Sequence, residues 1–600
     1  MDTLQMLLES RLRLALCTEA DSGFSPKVSP STDTRFGDYQ TNAAMILAKR
    51  DRENPRLVAQ EILEKIEVSD YCEPLEIAGA GFINFRLKSS WLASRFSELA
   101  SDVKLGVPAP AIVRKLVIDF SSPNVAKPMH VGHIRSTILG DALARIATYI
   151  GHEVVRDNHI GDWGTQFGML LAGWKSELNK ESLVADPLRE MERIYKLIQA
   201  KIKGEREAHS GGTLKPVSQT EIESRMELVK LQAGDPENLE LWHEMIRLSQ
   251  KQFDEIYGRL DVRFDFSLGE SFYNPWLKDV VKQLQGLEIA RESEGALCVF
   301  SDGSLPEKED PFLIQRDGVW GPMPALVQKA DGAANYTTTD LATLDYRMKT
   351  WAPDEIIYVT DGRQQHHFRQ FFAIFKRWLP DQAEKVRLAH VWFGSILGED
   401  GKPFKTRSGE TVKLADLLDE STQRARKILI EKNPALPEVE LDEISKIIGI
   451  GAVKYADLSP NRQSDYVFSW DKMLALQGNT APYLQYSYVR IRSIFRKGEV
   501  DDRSLDLSRV TFTETVEMAL AIKLCQFGEV LPGVLDDFRP NSLATYLYEL
   551  ASTFHSFFEA CPVLKADEPA RSTRLALCDV TARILKQGLT LLGIGVPEKM

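Results

Sequence analysis

Apolar and polar positions change rhythm several times along this 600-residue chain, and each rhythm predicts a different kind of element. Residues 1–110 mix helical periodicity with short strands such as GFINFRL, and they end in the breaker-rich stretch KLGVPAPA. VRKLVIDF (113–120) is a short apolar run suited to a buried strand, with SSPN as the loop after it. A helix follows from residue 131, because Ile134, Ile138, Leu139, Ile146 and Ile150 recur at helical spacing and Gly151 supplies a stop. EVVRDNH reads as the next strand. Strand, helix and strand in this order form a βαβ unit and predict a parallel, doubly wound sheet.

Residues 175–310 interrupt that pattern with long, highly charged, mostly helical sequence around the polar loop KGEREAHSGGTLKPVSQTE. The α/β pattern is expected to resume at ALVQKADGAANYTTTDLATLDYRM, EIIYVTD and RLAHVWFGSI. Strand signals fade beyond residue 410. Four blocks result: 1–110, 111–410 with its helical insertion, linker helices at 411–460, and an all-α block at 461–600. The fold class is therefore multidomain α/β, with an N-terminal α+β domain and a C-terminal all-α domain.

Composition narrows this picture. Lys and Arg number 74 and Asp and Glu 86, a net charge of −12 that argues against indiscriminate coating of nucleic acid. It leaves room for local basic strips. The apolar runs fall short of the ~20 residues of a membrane helix, so no membrane partner is expected. Six cysteines lie far apart with no CxxC pair, which excludes a zinc ribbon and predicts no metal site. A reducing, cytoplasmic setting fits.

DFSSPNVAKPMHVGHIRSTILGD (119–141) carries most of the chemistry. It runs from the end of a buried strand into a helix N-terminus, where free N–H groups make an anion site. Gly132 lets a flat base approach the backbone. His130 and His133 can donate to phosphate oxygens as charge spreads over them. Two histidines three apart also suit an ordinary satisfied turn. In the C-terminal helix APYLQYSYVRIRSIFRK, Leu484, Tyr488, Ile491 and Phe495 form a core stripe, while Tyr486, Arg490, Ser493 and Lys497 share another face. Arg490, Arg492, Arg496 and Lys497 make a local strip of four positive charges suited to phosphate.

HxGH at a strand-to-helix turn resembles the HIGH element of class I aminoacyl-tRNA synthetases, which cytidylyl- and adenylyltransferases share. The flanks are more specific. FGDYQTNAAM, FSSPNVAKPMHVGHIRST, NHIGDWGTQFGML, GKPFKTRSGETVKL and GNTAPYLQYSYVRI together resemble the arginyl-tRNA synthetases over essentially the whole chain. The resemblance implies a Rossmann-type catalytic domain and an ATP-dependent ligase, with Mg2+ accompanying ATP and no structural zinc. Arginine is first activated to arginyl-adenylate and then transferred to the terminal ribose of tRNA(Arg), with tRNA needed for activation.

Site residues follow from the same resemblance. The second phosphate element departs from KMSKS: PFKTRSG has Thr406 where the second lysine falls, leaving Lys405 and Arg407, with Lys127 just before the histidines. A guanidinium substrate calls for carboxylates. Asp119 ends a strand where such sheets bind ligands, and Tyr336 and Asp340 lie four apart on one helix face. The resemblance gives these three residues, Asn124 and Gln364 to arginine, and His367 to the adenosine. It assigns Phe82 and Asn84 in the N-terminal domain to the tRNA elbow, 411–460 to its stem, and Tyr486, Arg490 and Lys497 in the helical domain to the anticodon arm. It also implies a monomer. Two other readings stay open. A cysteine-, glutamate- or glutamine-specific synthetase would need zinc-binding cysteines or a basic pocket, and a non-catalytic tRNA-binding relative would have kept only the fold.

Overall fold

The computed structural model describes residues 1–16, 24–31, 33–208, 218–404, 411–502, 505, 507 and 510–600. Its central feature is a four-stranded parallel sheet ordered Arg387–His390, Glu355–Tyr358, Lys115–Asp119, Glu153–Asp157. Leu116, Val117 and Ile118 are all buried, as a strand covered on both faces requires. The expected crossover helix is Val131–Ile150, ending at Gly151 with φ +122°. Gly140 brings it close to the sheet: a Cβ there would lie 2.3 Å from Phe120 Cγ. From Lys115–Asp119 the chain crosses to Glu153–Asp157 on one side, and later enters Glu355–Tyr358 on the other. The strand order reverses between Lys115–Asp119 and Glu355–Tyr358, so ligands are expected in the crevice beyond their carboxyl ends.

The excursion between the two halves of this sheet is helical from Gln166–Glu177 through Glu270–Gly286. One expectation needs correcting here. Ala325–Gln328 does not resume the parallel sheet, but pairs antiparallel in a small sheet with Ala296–Val299 and Ala290–Ser293. A short apolar run cannot reveal which sheet it joins. The α/β pattern returns with helix Tyr336–Trp351.

In the N-terminal domain the predicted GFINFRL strand is Phe82–Phe85, inside a four-stranded antiparallel sheet. Among the described residues beyond 440 the elements are helices, apart from the two-residue strand Tyr466–Val467. A second correction concerns membranes. Thr515–Asp537 is long and apolar enough to cross one, with a mean hydropathy of 1.4. Here it forms two helices meeting at Gln526, and Leu520, Leu524, Phe527, Leu531 and Val534 are packed into the core.

Candidate active site

The four parallel strands end in one row of chemistry-bearing residues, Asp157, Asp119, Tyr358 and His390, in register across the sheet. Asp119 is buried, its Oδ2 accepting from Arg347 Nη2 at 2.7 Å and its Oδ1 from the Ser122 hydroxyl at 3.2 Å. Beyond Asp119 the chain takes left-handed conformations at three non-glycine residues, Ser121 (φ +76°), Ser122 (+49°) and Ala126 (+62°). Each costs backbone strain and persists only where the surroundings fix it. Side chains from other elements do so by accepting the three N–H groups: Ser136 Oγ (2.9 Å), Asn158 Oδ1 (3.1 Å) and Ser249 Oγ (3.0 Å).

This loop delivers the chain to His130, the N-cap of helix Val131–Ile150. Gly132 N–H donates to His130 Nδ1 at 3.1 Å, and His130 N–H donates to His133 Nδ1 at 3.1 Å. A ring nitrogen that accepts carries no proton, so each neutral imidazole bears its proton on Nε2. Burial, with Lys127 nearby, lowers the pKa of His130; burial, with His130 nearby, lowers that of His133 to about 3. Both rings are therefore neutral Nε2–H donors near pH 7. Gly132 also leaves room for its neighbour: a Cβ there would sit 2.8 Å from His130 Cε1.

The segment that follows the second phosphate element is anchored to the first. Val131 N–H donates to Val412 O and Leu414 N–H to Met129 O, both at 2.9 Å, and His130 bridges to Lys413. Lys405 and Arg407 themselves lie outside the described residues. Lys127 has its ammonium over the Tyr195 ring, 5.3 Å from the centroid.

An acidic cluster adjoins the row. Asp340 Oδ2 is 2.6 Å from His367 Nε2, and the His367 ring packs edge-on against Tyr336 at 4.7 Å. His367 thus sits between the acid and Tyr336. Sequence reasoning missed Glu270, whose carboxyl is pushed up to about 8 by burial and by the charges of Asp340 and Asp162. An acid so repelled is a ready partner for a cation. Asn124 and Gln364 are exposed. Gly161 lets the Asn124 segment approach, since a Cβ at Gly161 would lie 2.3 Å from Asn124 Oδ1.

The expected RNA-facing residues divide. Tyr486 is 46 % exposed, Lys497 is exposed, and Arg490 stacks on Phe558 with 4.4 Å to the ring centroid. The basic strip is narrower than expected, because Arg492 is bound to Asp502 at 2.7 Å and Arg496 donates to Glu598 O at 3.1 Å. Phe82 is half-buried, and Asn84 is buried with its Oδ1 unpaired among the described residues.

A doubly wound parallel sheet with HxGH at its switch point, followed by a helical C-terminal domain, defines a class I aminoacyl-tRNA synthetase. Comparisons with known proteins agree with this geometry. Residues 2–87 match the "Arginyl tRNA synthetase N terminal domain", 96–470 the "tRNA synthetases class I (R), catalytic domain" and 484–600 the "DALR anticodon binding domain". The arginine–tRNA ligase of Synechococcus elongatus is 46 % identical over 582 residues, 96 % of this chain and 95 % of its own length. That of Nostoc punctiforme is 44 % identical over 605 residues, covering 100 % and 99 %. The crystal structure of Plasmodium falciparum arginyl-tRNA synthetase superposes with a TM-score of 0.79 at 28 % identity, and the Thermus thermophilus arginyl-tRNA synthetase structure with 0.82 at 27 %, each covering 100 % of both chains. The chain belongs to the arginyl-tRNA synthetase family. It is a ligase that activates arginine with ATP and charges tRNA(Arg).

Proposed function

We propose a division of labour among the residues of this site. The guanidinium of arginine lies in the acidic pocket with Tyr336, Asp340 and Glu270, while Asp119, Asn124 and Gln364 hold its remaining polar groups. The substrate carboxylate attacks the α-phosphorus of MgATP in line, forming the mixed anhydride and releasing pyrophosphate. His130 and His133 donate from Nε2 to phosphate oxygens as charge builds there, which is positioning and electrostatic work rather than covalent catalysis. Gly132 leaves room at the turn for ATP, His367 meets the adenosine while bonded to Asp340, and Lys127, Lys405 and Arg407 supply positive charge for the departing pyrophosphate. The observation that carries this reading is the meeting of two neutral Nε2–H donors and a cluster of acids at the carboxyl end of one sheet.

Residues 1–110 with Phe82 and Asn84 take the tRNA elbow, 411–460 its stem, and 461–600 the anticodon arm through Tyr486, Arg490 and Lys497. Basic side chains beside exposed aromatics suit phosphate contact and base stacking. Free, buried Cys72, Cys298, Cys525, Cys561 and Cys578 fit a cytoplasmic enzyme, and we read it as a monomer. ATP–pyrophosphate exchange against a panel of amino acids, with and without tRNA, tests the whole scheme. Exchange should need both arginine and cognate tRNA. Robust exchange without tRNA would sink the coupling, and exchange with another amino acid would sink the pocket assignment.

A further inference from the structure

We propose that Arg347 is a positioning residue of the arginine site, acting through Asp119. The proposal rests on the reading above that Asp119 belongs to that site. Asp119 and Asp157 end adjacent parallel strands and face each other in register. Two buried carboxylates so placed repel each other. Arg347, wholly buried, lies between them: its Nη2 donates to Oδ2 of both acids at 2.7 Å, and its Nε donates to Asp157 Oδ2 at 3.0 Å. The protein's own guanidinium thus occupies one oxygen of Asp119. With the Ser122 hydroxyl on Oδ1, each oxygen of Asp119 already accepts one protein donor, so a substrate guanidinium meets a carboxylate whose direction is fixed before it arrives.

Two features separate this arrangement from a closed structural clamp. Asp157 Oδ1 and Tyr273 Oη are buried without a hydrogen-bond partner among the described residues. Fully structural buried networks are normally satisfied. Arg347 also lies on helix Tyr336–Trp351, where its spacing from Tyr336 and Asp340 puts all three on one face. Anchoring Arg347 to the row of strand ends therefore fixes Asp340 relative to Asp119, and with it the distance between the two acids that meet the substrate.

The test is ATP–pyrophosphate exchange by the full chain with saturating cognate tRNA, varying arginine and ATP separately. Arg347→Met should raise the arginine KM at least tenfold and leave the ATP KM within twofold. Adding Asp157→Asn removes the charge facing Asp119 and should recover at least threefold of that loss, a suppression that a purely structural role would not give. If Arg347→Met fails to melt cooperatively, Arg347→Lys, which keeps the charge but not the bridging fork, is judged by the same split and should raise the arginine KM at least threefold. Asp119→Asn run alongside separates the two ideas: an unchanged arginine KM there removes Asp119 from the site. An unchanged arginine KM in a folded Arg347 variant, an equal rise for ATP, or no recovery in the double variant overturns the positioning role.

Discussion

Replacing Asp340 with Asn removes one negative charge from the acidic pocket while nearly preserving its shape. The Asp340 side chain is 29 % exposed and bonded to His367. The carboxyl of its neighbour Glu270 is pushed up to about 8 by burial and by the charges of Asp340 and Asp162, which favours its protonated form at pH 7 in the free enzyme. An incoming guanidinium therefore meets Asp340 together with a Glu270 that must ionise. Neutralising one partner of a desolvated pair costs about 3–5 kcal/mol. Two effects pull the expectation to the lower end: Asp340 is partly solvated before arginine binds, and Glu270 ionises more easily once Asp340 is neutral. A loss of about 3 kcal/mol is roughly 100-fold in affinity. With arginine and ATP varied separately in pyrophosphate exchange, the arginine KM should rise by about that factor, with the ATP KM within about twofold. Calorimetry in buffers of different ionisation enthalpy gives a second reading: the parent enzyme should release protons on binding arginine at pH 7, and Asp340→Asn fewer. An arginine KM within threefold of the parent would remove Asp340 from the pocket, and binding without proton release would remove Glu270.

His130→Ala and His133→Ala should each slow adenylate formation in single-turnover experiments while leaving ATP affinity nearly intact; an equal loss of ATP affinity would mean ground-state binding instead. Glu529 joins the N-terminal and helical domains, accepting from Tyr39 Oη and Gln5 N–H at 2.9 Å each, and burial pushes its carboxyl up to about 7. The folded chain holds that proton more tightly than the unfolded chain, so this contribution to stability falls as pH rises from about 4.5 to about 7. Glu529→Gln should accordingly stabilise at pH 8, by up to about 3 kcal/mol, and change little at pH 4.5; thermal melts at the two pH values decide it. Tyr486→Ala and Lys497→Ala should raise the KM for tRNA without lowering the melting temperature. Arg492→Ala, which breaks the Asp502 pair, should lower the melting temperature, and the reverse pattern would reassign the RNA-facing side of the helix.

The catalytic sheet was legible because its signals are local. A buried strand, a strained loop and a helix N-cap lie within forty residues, and the two histidines fall at the cap itself. The acid pocket was legible in part. Tyr336 and Asp340 share a helix face by spacing alone, and the same spacing extends to Arg347, a signal that was present and unused. Glu270 carried no such signal, because its raised pKa arises first from burial and then from Asp340 and Asp162, and only tertiary structure creates that burial and brings those residues near. The basic strip on Ala481–Gly498 was overcounted for a related reason: the partners of Arg492 and Arg496 lie on segments whose docking only tertiary structure reveals.

The helix that begins with HxGH is also the piece that joins the site to the helical domain. Four residues into it, Arg135 is bonded to Asp457 at 2.7 Å and donates to Gly394 O at 2.7 Å. Further along, Arg145 pairs with Asp141, which lies beside buried Lys454, and Lys454 donates to Gly593 O at 2.7 Å. Tyr455 donates to Ala544 O at 2.9 Å. Cutting the chain before residue 461 would therefore strip partners from Lys454 and Tyr455, so a truncated chain cannot test tRNA coupling cleanly. The full chain can. Contiguity from the anticodon helices to His130 carries coupling only if the HxGH end or its phosphate loop has two arrangements that RNA binding biases. A shift from mostly inactive to mostly active needs roughly 5 kcal/mol of differential binding, a demand that a large RNA interface can meet. Exchange measured on the intact enzyme with and without tRNA reads that bias directly, and a rate independent of tRNA would leave this helix as a structural beam and nothing more.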